Sequence, residues 1–172
     1  PVHNYYSVIG GKITTFRNLS KEIVDMLSSN ECLTEKQPTI GCDFKTDNFE
    51  DYLKRVLPEY LAKYDVEAQT IMHLIMLYGT RAEDVLELTR INPDLQKKIH
   101  PDYEDIEAQI VYAIRYEHAY TLEDVLDRRL TIGLSTDDVS MEVLNIIQQY
   151  LNNELKLNIR RINAKDNNPR IY

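Results

Sequence analysis

The 172-residue sequence has no tryptophan and only two cysteines, Cys32 and Cys42. Two cysteines cannot supply the framework of disulfides that holds small secreted domains together. Neither cysteine has a histidine nearby at the spacing of a zinc site. We therefore expect free thiols in a reducing, cytoplasmic compartment, and no bound metal.

Long apolar runs are also missing. The most apolar stretch, Ile71–Leu77, is interrupted by His73 and is far shorter than the roughly 20 residues that cross a bilayer. The first residues, Pro1–Asn4, include no initiator methionine and have no signal-peptide pattern. This start is typical of the cut end of a longer chain.

Positive charge is in deficit, with 20 lysines and arginines against 28 aspartates and glutamates, for a net charge of −8. Binding to duplex DNA usually requires a strongly basic surface. A basic tail, residues 156–172, is the exception, but it lacks the aromatic platform on which single strands stack. We expect no nucleic-acid partner, and we expect an extended or disordered tail.

Glycine is scarce, with five residues in the chain, and Gly79 and Gly133 each follow an apolar stretch with helical periodicity. This pattern predicts a mainly α protein with a compact multi-helix domain over residues 48–155. The predicted helices lie near 66–78, 81–90, 103–118, 121–132 and 137–155. The side chains predicted to be buried are Leu74, Leu86, Ile110, Ile114, Val125 and Leu126.

The first 30 residues have a different pattern. Tyr5–Ile9 is β-prone, Gly10-Gly11 interrupts it, and Thr14 or Thr15 is placed to begin a helix. A single strand cannot satisfy its backbone groups, and no partner strand is evident elsewhere. We interpret residues 1–30 as an orphan strand-Gly-Gly-helix unit of a domain that is otherwise missing, joined by a linker over 31–47.

The Gly10-Gly11-Lys12 segment admits two interpretations. Backbone N–H groups at a helix start, with a lysine beside them, suit a phosphate or a carbonyl oxygen that gains negative charge. The alternative is an ordinary strand-to-helix turn in which glycine relieves strain. The spacing alone leaves both open.

Residues 10–17, Gly-Gly-Lys-Ile-Thr-Thr-Phe-Arg, resemble a signature of FAD-dependent glycerol-3-phosphate dehydrogenases, at the point where the flavin domain ends and the C-terminal helical domain begins. Three further segments resemble the same family in the same order: Tyr78–Leu86, Ala108–Glu117 and Thr121–Arg129. The four segments extend from residue 10 to residue 129, so the resemblance reaches across most of residues 5–135. The sequence departs from the family pattern at Gln109, where the family has an acid, and at Thr131, where it often has an arginine.

The resemblance implies that the parent enzyme oxidises glycerol 3-phosphate to dihydroxyacetone phosphate with FAD and passes electrons to a quinone or to oxygen. It implies that Gly10, Gly11 and Thr14 approach the flavin and that Lys12 contacts the substrate phosphate. The N-terminal FAD domain would be the partner of this chain. Without it we expect an inactive fragment that binds no FAD and contains no catalytic residue we can assign. The resemblance further implies peripheral attachment of the parent to the inner face of the cell membrane.

A second hypothesis is a self-contained helical protein-interaction domain without catalysis. It requires Tyr5–Ile9 to find a sheet within its own chain.

Three smaller expectations come from the residues themselves. His73 is a hydrogen-bonded core histidine, and the acids at 102–107 are a solvated helix start. Arg128 and Arg129 either pair with nearby acids on their own helix or dock onto the flavin domain.

Overall fold

A computed structural model describes residues 5–136 and 138–166, with side chains as far as 156. Its elements are helical, apart from one isolated antiparallel bridge between Lys98 and Ile106. The chain divides into two compact units between Asp43 and Phe44, inside the predicted linker. The helices are α1 (Phe16–Leu27), α2 (Phe49–Lys63), α3 (Ala68–Tyr78), α4 (Ala82–Ile91), α5 (Glu107–Tyr116), α6 (Leu122–Leu126), α7 (Thr131–Ser135) and α8 (Met141–Asp166).

The first unit contains α1, preceded by a short 3-10 turn over Ile13–Thr15. The predicted strand is wrong for this chain, because residues 5–12 have no regular secondary structure. Extended backbone is stable as a strand only when a neighbouring strand pairs with it. No residue of α1 is buried. Large apolar side chains along the unit are exposed, namely Tyr5, Tyr6, Val8, Ile9, Ile13, Phe16, Val24, Met26, Leu27, Leu33 and Ile40.

The second unit encloses two apolar clusters. One lies mainly among α2, α3 and α4, and the other among α5, α6, α7 and α8. Helix α5 contributes to both clusters, and all its residues from Ala108 to Ile114 are buried. The six side chains predicted to be buried are all confirmed. The prediction of a mainly α fold is confirmed as well.

Helices α3 and α4 lie almost where the periodicity predicted them, near 66–78 and 81–90. Helix α3 ends at Tyr78 and is capped by Gly79, whose φ of 56° lies in the left-handed region that glycine adopts without strain. Helix α5, in contrast, begins at Glu107 rather than at residue 103. The preceding residues form a turn and a bend over 101–103, followed by the bridge of Ile106 to Lys98. At this bridge Ile99 N donates to Asp105 O (2.9 Å) and Glu107 N to Lys97 O (3.0 Å).

The predicted helix over 121–132 is broken into α6 and α7. Its start is as predicted, because the Thr121 side chain accepts from Asp124 N and the Asp124 carboxylate accepts from Thr121 N. Gly133 lies inside α7 instead of ending a helix. A Cβ at Gly133 would lie 2.2 Å from the Leu126 carbonyl oxygen, so glycine here permits α7 to pack directly on the end of α6.

The last helix is longer than predicted. Helix α8 begins at Met141 and its backbone stays helical to Asp166, so residues 156–166 are not the extended arm expected from their lack of periodicity. The remaining residues of the predicted tail, 167–172, lie outside the described residues.

Ile110 offers a direct test of the core. Its side chain is completely buried on α5, so Ile110→Ala is expected to lower the free energy of unfolding by about 2–5 kcal/mol through lost burial and a residual cavity. Urea unfolding followed by helical circular dichroism measures this change. A loss below about 1 kcal/mol would contradict the packing described here.

Candidate functional site

The Gly10–Thr15 segment leads directly into α1. Lys12 is extended (φ −67°, ψ 144°) and precedes the single 3-10 turn that continues into the helix. The backbone N–H and the hydroxyl of Thr15 both donate to the Lys12 carbonyl, at 2.9 and 2.8 Å. Thr15 thereby fixes the turn on which Lys12 is displayed, and every residue from Gly10 to Thr15 is exposed.

The glycines of this segment are not required by the described part of their own chain. Neither Gly10 nor Gly11 has a φ in the left-handed region. A Cβ at Gly10 would have no neighbour within 4 Å, and one at Gly11 would make an ordinary contact of 3.5 Å with the Thr15 hydroxyl. Open space beside bare backbone at a helix start fits the approach of a flat, polar ring, so the segment is compatible with the flavin edge that the resemblance implies.

Arg17, the second residue of α1, contacts the backbone of the predicted linker. Its guanidinium Nη2 donates to the Gln37 carbonyl at 3.4 Å, within the first unit.

The second unit contains a polar centre that the sequence did not reveal. The Asp105 side chain is completely buried and accepts four hydrogen bonds. Its Oδ1 accepts from His73 Nε2 (3.0 Å) and Gln109 Nε2 (3.2 Å), while its Oδ2 accepts from Thr131 Oγ1 (2.7 Å) and Ile132 N (2.9 Å). One carboxylate thus joins α3, α5 and the first turn of α7.

The titration of Asp105 reflects two opposing causes. Burial disfavours the ionised carboxylate and would raise its pKa, but the hydrogen bonds from His73, Thr131 and Ile132 together outweigh burial and lower the pKa below its ordinary value. Asp105 is therefore ionised at neutral pH. The expectation that His73 is a hydrogen-bonded core histidine is confirmed. The expectation that the acids at 102–107 form a solvated helix start is wrong for Asp105.

The two positions that depart from the family pattern meet at this centre. Gln109 donates one amide N–H to Asp105 and accepts from Ile106 N (2.9 Å) with its oxygen, which caps α5. Thr131 donates to the other carboxylate oxygen. Both side chains therefore act as donors to Asp105, which is surrounded by groups suited to a single negative charge.

The two arginines after α6 have different roles. Arg128 pairs with Asp124, four residues earlier, as expected for neighbouring charges on one helical face. Arg129 instead donates to two backbone carbonyls. One belongs to Glu117 (2.8 Å), at the end of α5, where helical carbonyls have no partner within the helix. The other belongs to Asp124 of α6 (3.2 Å). Arg129 therefore connects these two helices through backbone contacts.

Charged side chains also pair at the surface of the second unit. Lys63 of α2 bridges Glu83 and Glu87 of α4, at 2.7 and 2.9 Å. An open cavity of about 460 Å³ beside α3 is lined by Lys98, which is held by Glu67 (3.1 Å) and Glu104 (2.9 Å).

Within residues 5–136 and 138–166, no group of three or more His, Cys, Asp or Glu side chains is arranged to hold a metal ion. No helix in those ranges is long and apolar enough to span a membrane.

Comparison with known proteins identifies a matching family. A family model described as the C-terminal domain of alpha-glycerophosphate oxidase matches residues 32–162. This range contains all the helices of the second unit through most of α8. No solved structure matches the chain.

Curated relatives are similar over a wider range. A protein named glycerol-3-phosphate dehydrogenase from Synechocystis sp. is 37% identical over 158 residues, which are 87% of this chain and 27% of that protein. One named probable glycerol-3-phosphate dehydrogenase, mitochondrial, from Dictyostelium discoideum is 28% identical, covering 84% of this chain and 23% of that protein. One named aerobic glycerol-3-phosphate dehydrogenase from Staphylococcus saprophyticus is 28% identical, covering 77% of this chain and 25% of that protein. The chain spans about a quarter of the length of these relatives.

Proposed function

Because the chain belongs to the family described as the C-terminal domain of alpha-glycerophosphate oxidase, we propose that it is the C-terminal part of a flavoenzyme that oxidises glycerol 3-phosphate to dihydroxyacetone phosphate with FAD. The observation that carries this proposal is the agreement between the family match and the Gly10-Gly11-Lys12 segment. The match covers the helical unit, and the segment precedes it with exposed, unobstructed backbone.

The exposure of the first unit supports its assignment to a flavin-binding domain. Phe16, Val24 and Leu27 lie on α1, at least half of each side chain is exposed, and no residue of this helix is buried. An amphipathic helix normally buries its apolar stripe. We propose that this stripe and residues 5–9 pack against the rest of a flavin domain, where residues 5–9 would gain the strand partners they lack here.

The bound FAD would supply the redox chemistry by accepting hydride from C2 of the substrate. The residues of this chain would bind and orient. Gly10 and Gly11 let the backbone approach the flavin, and the helix start at Thr14 offers N–H groups and a positive dipole end to the flavin edge that becomes more negative on reduction. Lys12, the full positive charge of the segment, would bind the substrate phosphate.

The second unit has a separate role in this proposal. Its buried centre at Asp105 and its two apolar clusters stabilise its own fold and lie on residues that the proposed chemistry does not use. We propose that it covers the flavin domain without contributing a reacting group. Electrons would leave through a quinone or oxygen, and the flavin domain of the same protein would be its partner in the cytoplasm.

The alternative, a self-contained helical interaction domain, draws on one observation. The second unit encloses its own apolar clusters and includes most of the described chain. The exposed apolar residues of the first unit weigh against this alternative, because a self-contained domain rarely leaves so much apolar surface uncovered.

The visible absorption spectrum distinguishes the two functions. A longer polypeptide that carries this chain after its flavin-binding portion is expected to purify with an oxidised flavin spectrum that glycerol 3-phosphate bleaches. The 172-residue chain alone is expected to show no saturable FAD binding in the micromolar range, about −8 kcal/mol, because the adenine and pyrophosphate sites belong to a dinucleotide-binding fold. A longer polypeptide without flavin would overturn the proposal, and a tight complex of FAD with the 172-residue chain would overturn the assignment of the cofactor site.

A further inference from the structure

Helix α3 has an unusual surface for a helix at the outside of a domain. Its eleven residues, Ala68–Tyr78, include no aspartate, glutamate, lysine or arginine. Its inner face is buried and packs with α2 and α4. Its outer face exposes 63% of Met76 and 46% of Leu77, and Met72 is partly exposed one turn earlier.

A helix that is apolar on all sides is normally covered on all sides. Helix α3 approaches that composition, with Gln69, Thr70 and His73 as its polar side chains before the final Tyr78. Single exposed apolar residues are common and need no explanation. Ile91 is such a case, since it is 75% exposed but lies at the end of α4 directly after the charged Arg90. Helix α3 differs because the uncharged character extends over its whole length and its outer face carries two of the four methionines of the chain. Methionine adapts its shape to a partner surface.

We infer that the outer face of α3, formed by Met72, Met76 and Leu77, docks onto an apolar surface of the flavin-binding portion of the same polypeptide. The inference rests on the proposed function and names the surface through which the helical unit meets that portion. The relatives supply the argument for this occupant, because at least 73% of their length lies outside the region matched here. A small patch is sufficient for a covalently attached partner, because the tether holds the two surfaces at a high effective concentration.

The size and charge of the face disfavour other occupants. A stable dimer buries roughly 800 Å² on each partner, which is far more than three side chains provide. An interfacial membrane helix usually carries lysine and arginine on its polar side, whereas α3 has neither and the chain has a net charge of −8. The bond between His73 Nε2 and Asp105 fixes α3 against the rest of its unit, so the face is presented in one orientation.

Methionine oxidation tests the inference in the protein itself. Sulfoxide formation depends on exposure, and Met141 on α8 is 69% exposed, which makes it a matched internal reference for Met76 at 63%. In the 172-residue chain, dilute hydrogen peroxide is expected to oxidise Met76 and Met141 at similar rates, as followed by mass spectrometry of peptides. In the longer polypeptide, Met76 is expected to react about tenfold more slowly while Met141 keeps its rate.

The possible outcomes separate this inference from the proposed function. Equal rates for Met76 in the two polypeptides would overturn the docking surface, even if the longer one carries flavin and oxidises glycerol 3-phosphate. Protection of Met76 in a longer polypeptide that lacks flavin would support the docking surface and overturn the proposed function. Protection that appears in the 172-residue chain only at high protein concentration, or only with phosphatidylcholine vesicles, would replace the proposed occupant by a second copy or by a membrane.

A pair of substitutions provides a second measurement. Met76→Asp places a charge on the docking face, and Ile91→Asp places the same charge on an exposed aliphatic position of α4. In the longer polypeptide, Met76→Asp is expected to accelerate proteolytic release of the helical unit about tenfold, while Ile91→Asp leaves the rate within about twofold. Equal effects of the two variants would count against the docking face.

Discussion

Replacing Asp105 with alanine is expected to lower the free energy of unfolding of the helical unit by about 3–5 kcal/mol, because each buried donor left without its acceptor costs about 1–3 kcal/mol. The change would leave four donors, from His73, Gln109, Thr131 and Ile132, without their acceptor in a buried site. Urea unfolding monitored by helical circular dichroism gives the size of the loss. If the variant does not fold, it shows an unfolded spectrum without urea, which means that the loss exceeds the stability of the unit.

The matched control is Asp102→Ala, in the same acidic segment. The side chain of Asp102 is 82% exposed, so this variant is expected to change the free energy of unfolding by no more than about 0.5 kcal/mol. Equal losses in the two variants would mean that the segment tolerates no substitution, and the specific role of the Asp105 carboxylate would be refuted.

The effect of Asp105 should depend on pH. Its pKa is lowered in the folded state, so its contribution is fully present above the unfolded value of about 3.9 and is lost as the pH falls from there through the lower folded value. Asp105→Asn removes the charge at nearly constant size. The difference in stability between the natural chain and this variant is therefore expected to shrink below about pH 4.

The helices that the sequence predicted well are those fixed by local signals. Helix α3 combines apolar periodicity with Gly79 at its end, and α6 begins with the reciprocal bonds of Thr121 and Asp124. Each signal acts within a few residues, so it can be seen in the sequence alone. The same reasoning failed at residues 103–106 and 127–130, where the backbone follows contacts made across the fold.

Asp105 lies at both of these places. Its backbone carbonyl accepts from Ile99 N in the segment before α5. Its buried carboxylate accepts from Thr131 and Ile132, where α7 begins and the predicted helix over 121–132 is interrupted. In the sequence it stands in an acidic run that is typical of a solvated helix start. The departures at Gln109 and Thr131 were the available signal, but only the fold brings these two distant positions to the same carboxylate.

The candidate flavin segment is a different case. Its residues were selected by resemblance, and the structure adds the local geometry of Lys12 and the open surroundings of Gly10. The roles of Gly10, Gly11, Lys12 and Thr14 stay predictions, because a flavin site of this kind is completed by residues of the dinucleotide-binding fold. Sequence and local structure together indicate which atoms are available for binding, and the substitution of Lys12 tests what they bind.

In the proposed longer flavoenzyme, Lys12→Ala is expected to lower kcat/KM for glycerol 3-phosphate about ten- to two-hundred-fold and to leave the flavin content unchanged. The substrate phosphate carries nearly two negative charges at neutral pH, and burying it without a cationic partner would be strongly unfavourable. Lys12 is exposed beside the helix start, on the turn fixed by the two bonds from Thr15. Loss of a charge-assisted contact removes about 1.5–3 kcal/mol, which corresponds to the expected change in rate.

Steady-state kinetics with two controls make this prediction specific to the phosphate. Lys36→Ala removes another exposed lysine of the first unit, 75% exposed and paired with Glu31 at 3.6 Å, and it is expected to leave kcat/KM unchanged. Glycerol, which has no phosphate, is expected to be an equally poor substrate before and after Lys12→Ala. Full activity of the Lys12 variant on glycerol 3-phosphate would make Lys12 a surface residue and return the segment to an ordinary turn. If the variant purifies without flavin, Lys12 contacts the cofactor and not the substrate. Flavin is retained in the absence of substrate, so a residue that contacts only the substrate would not affect flavin content.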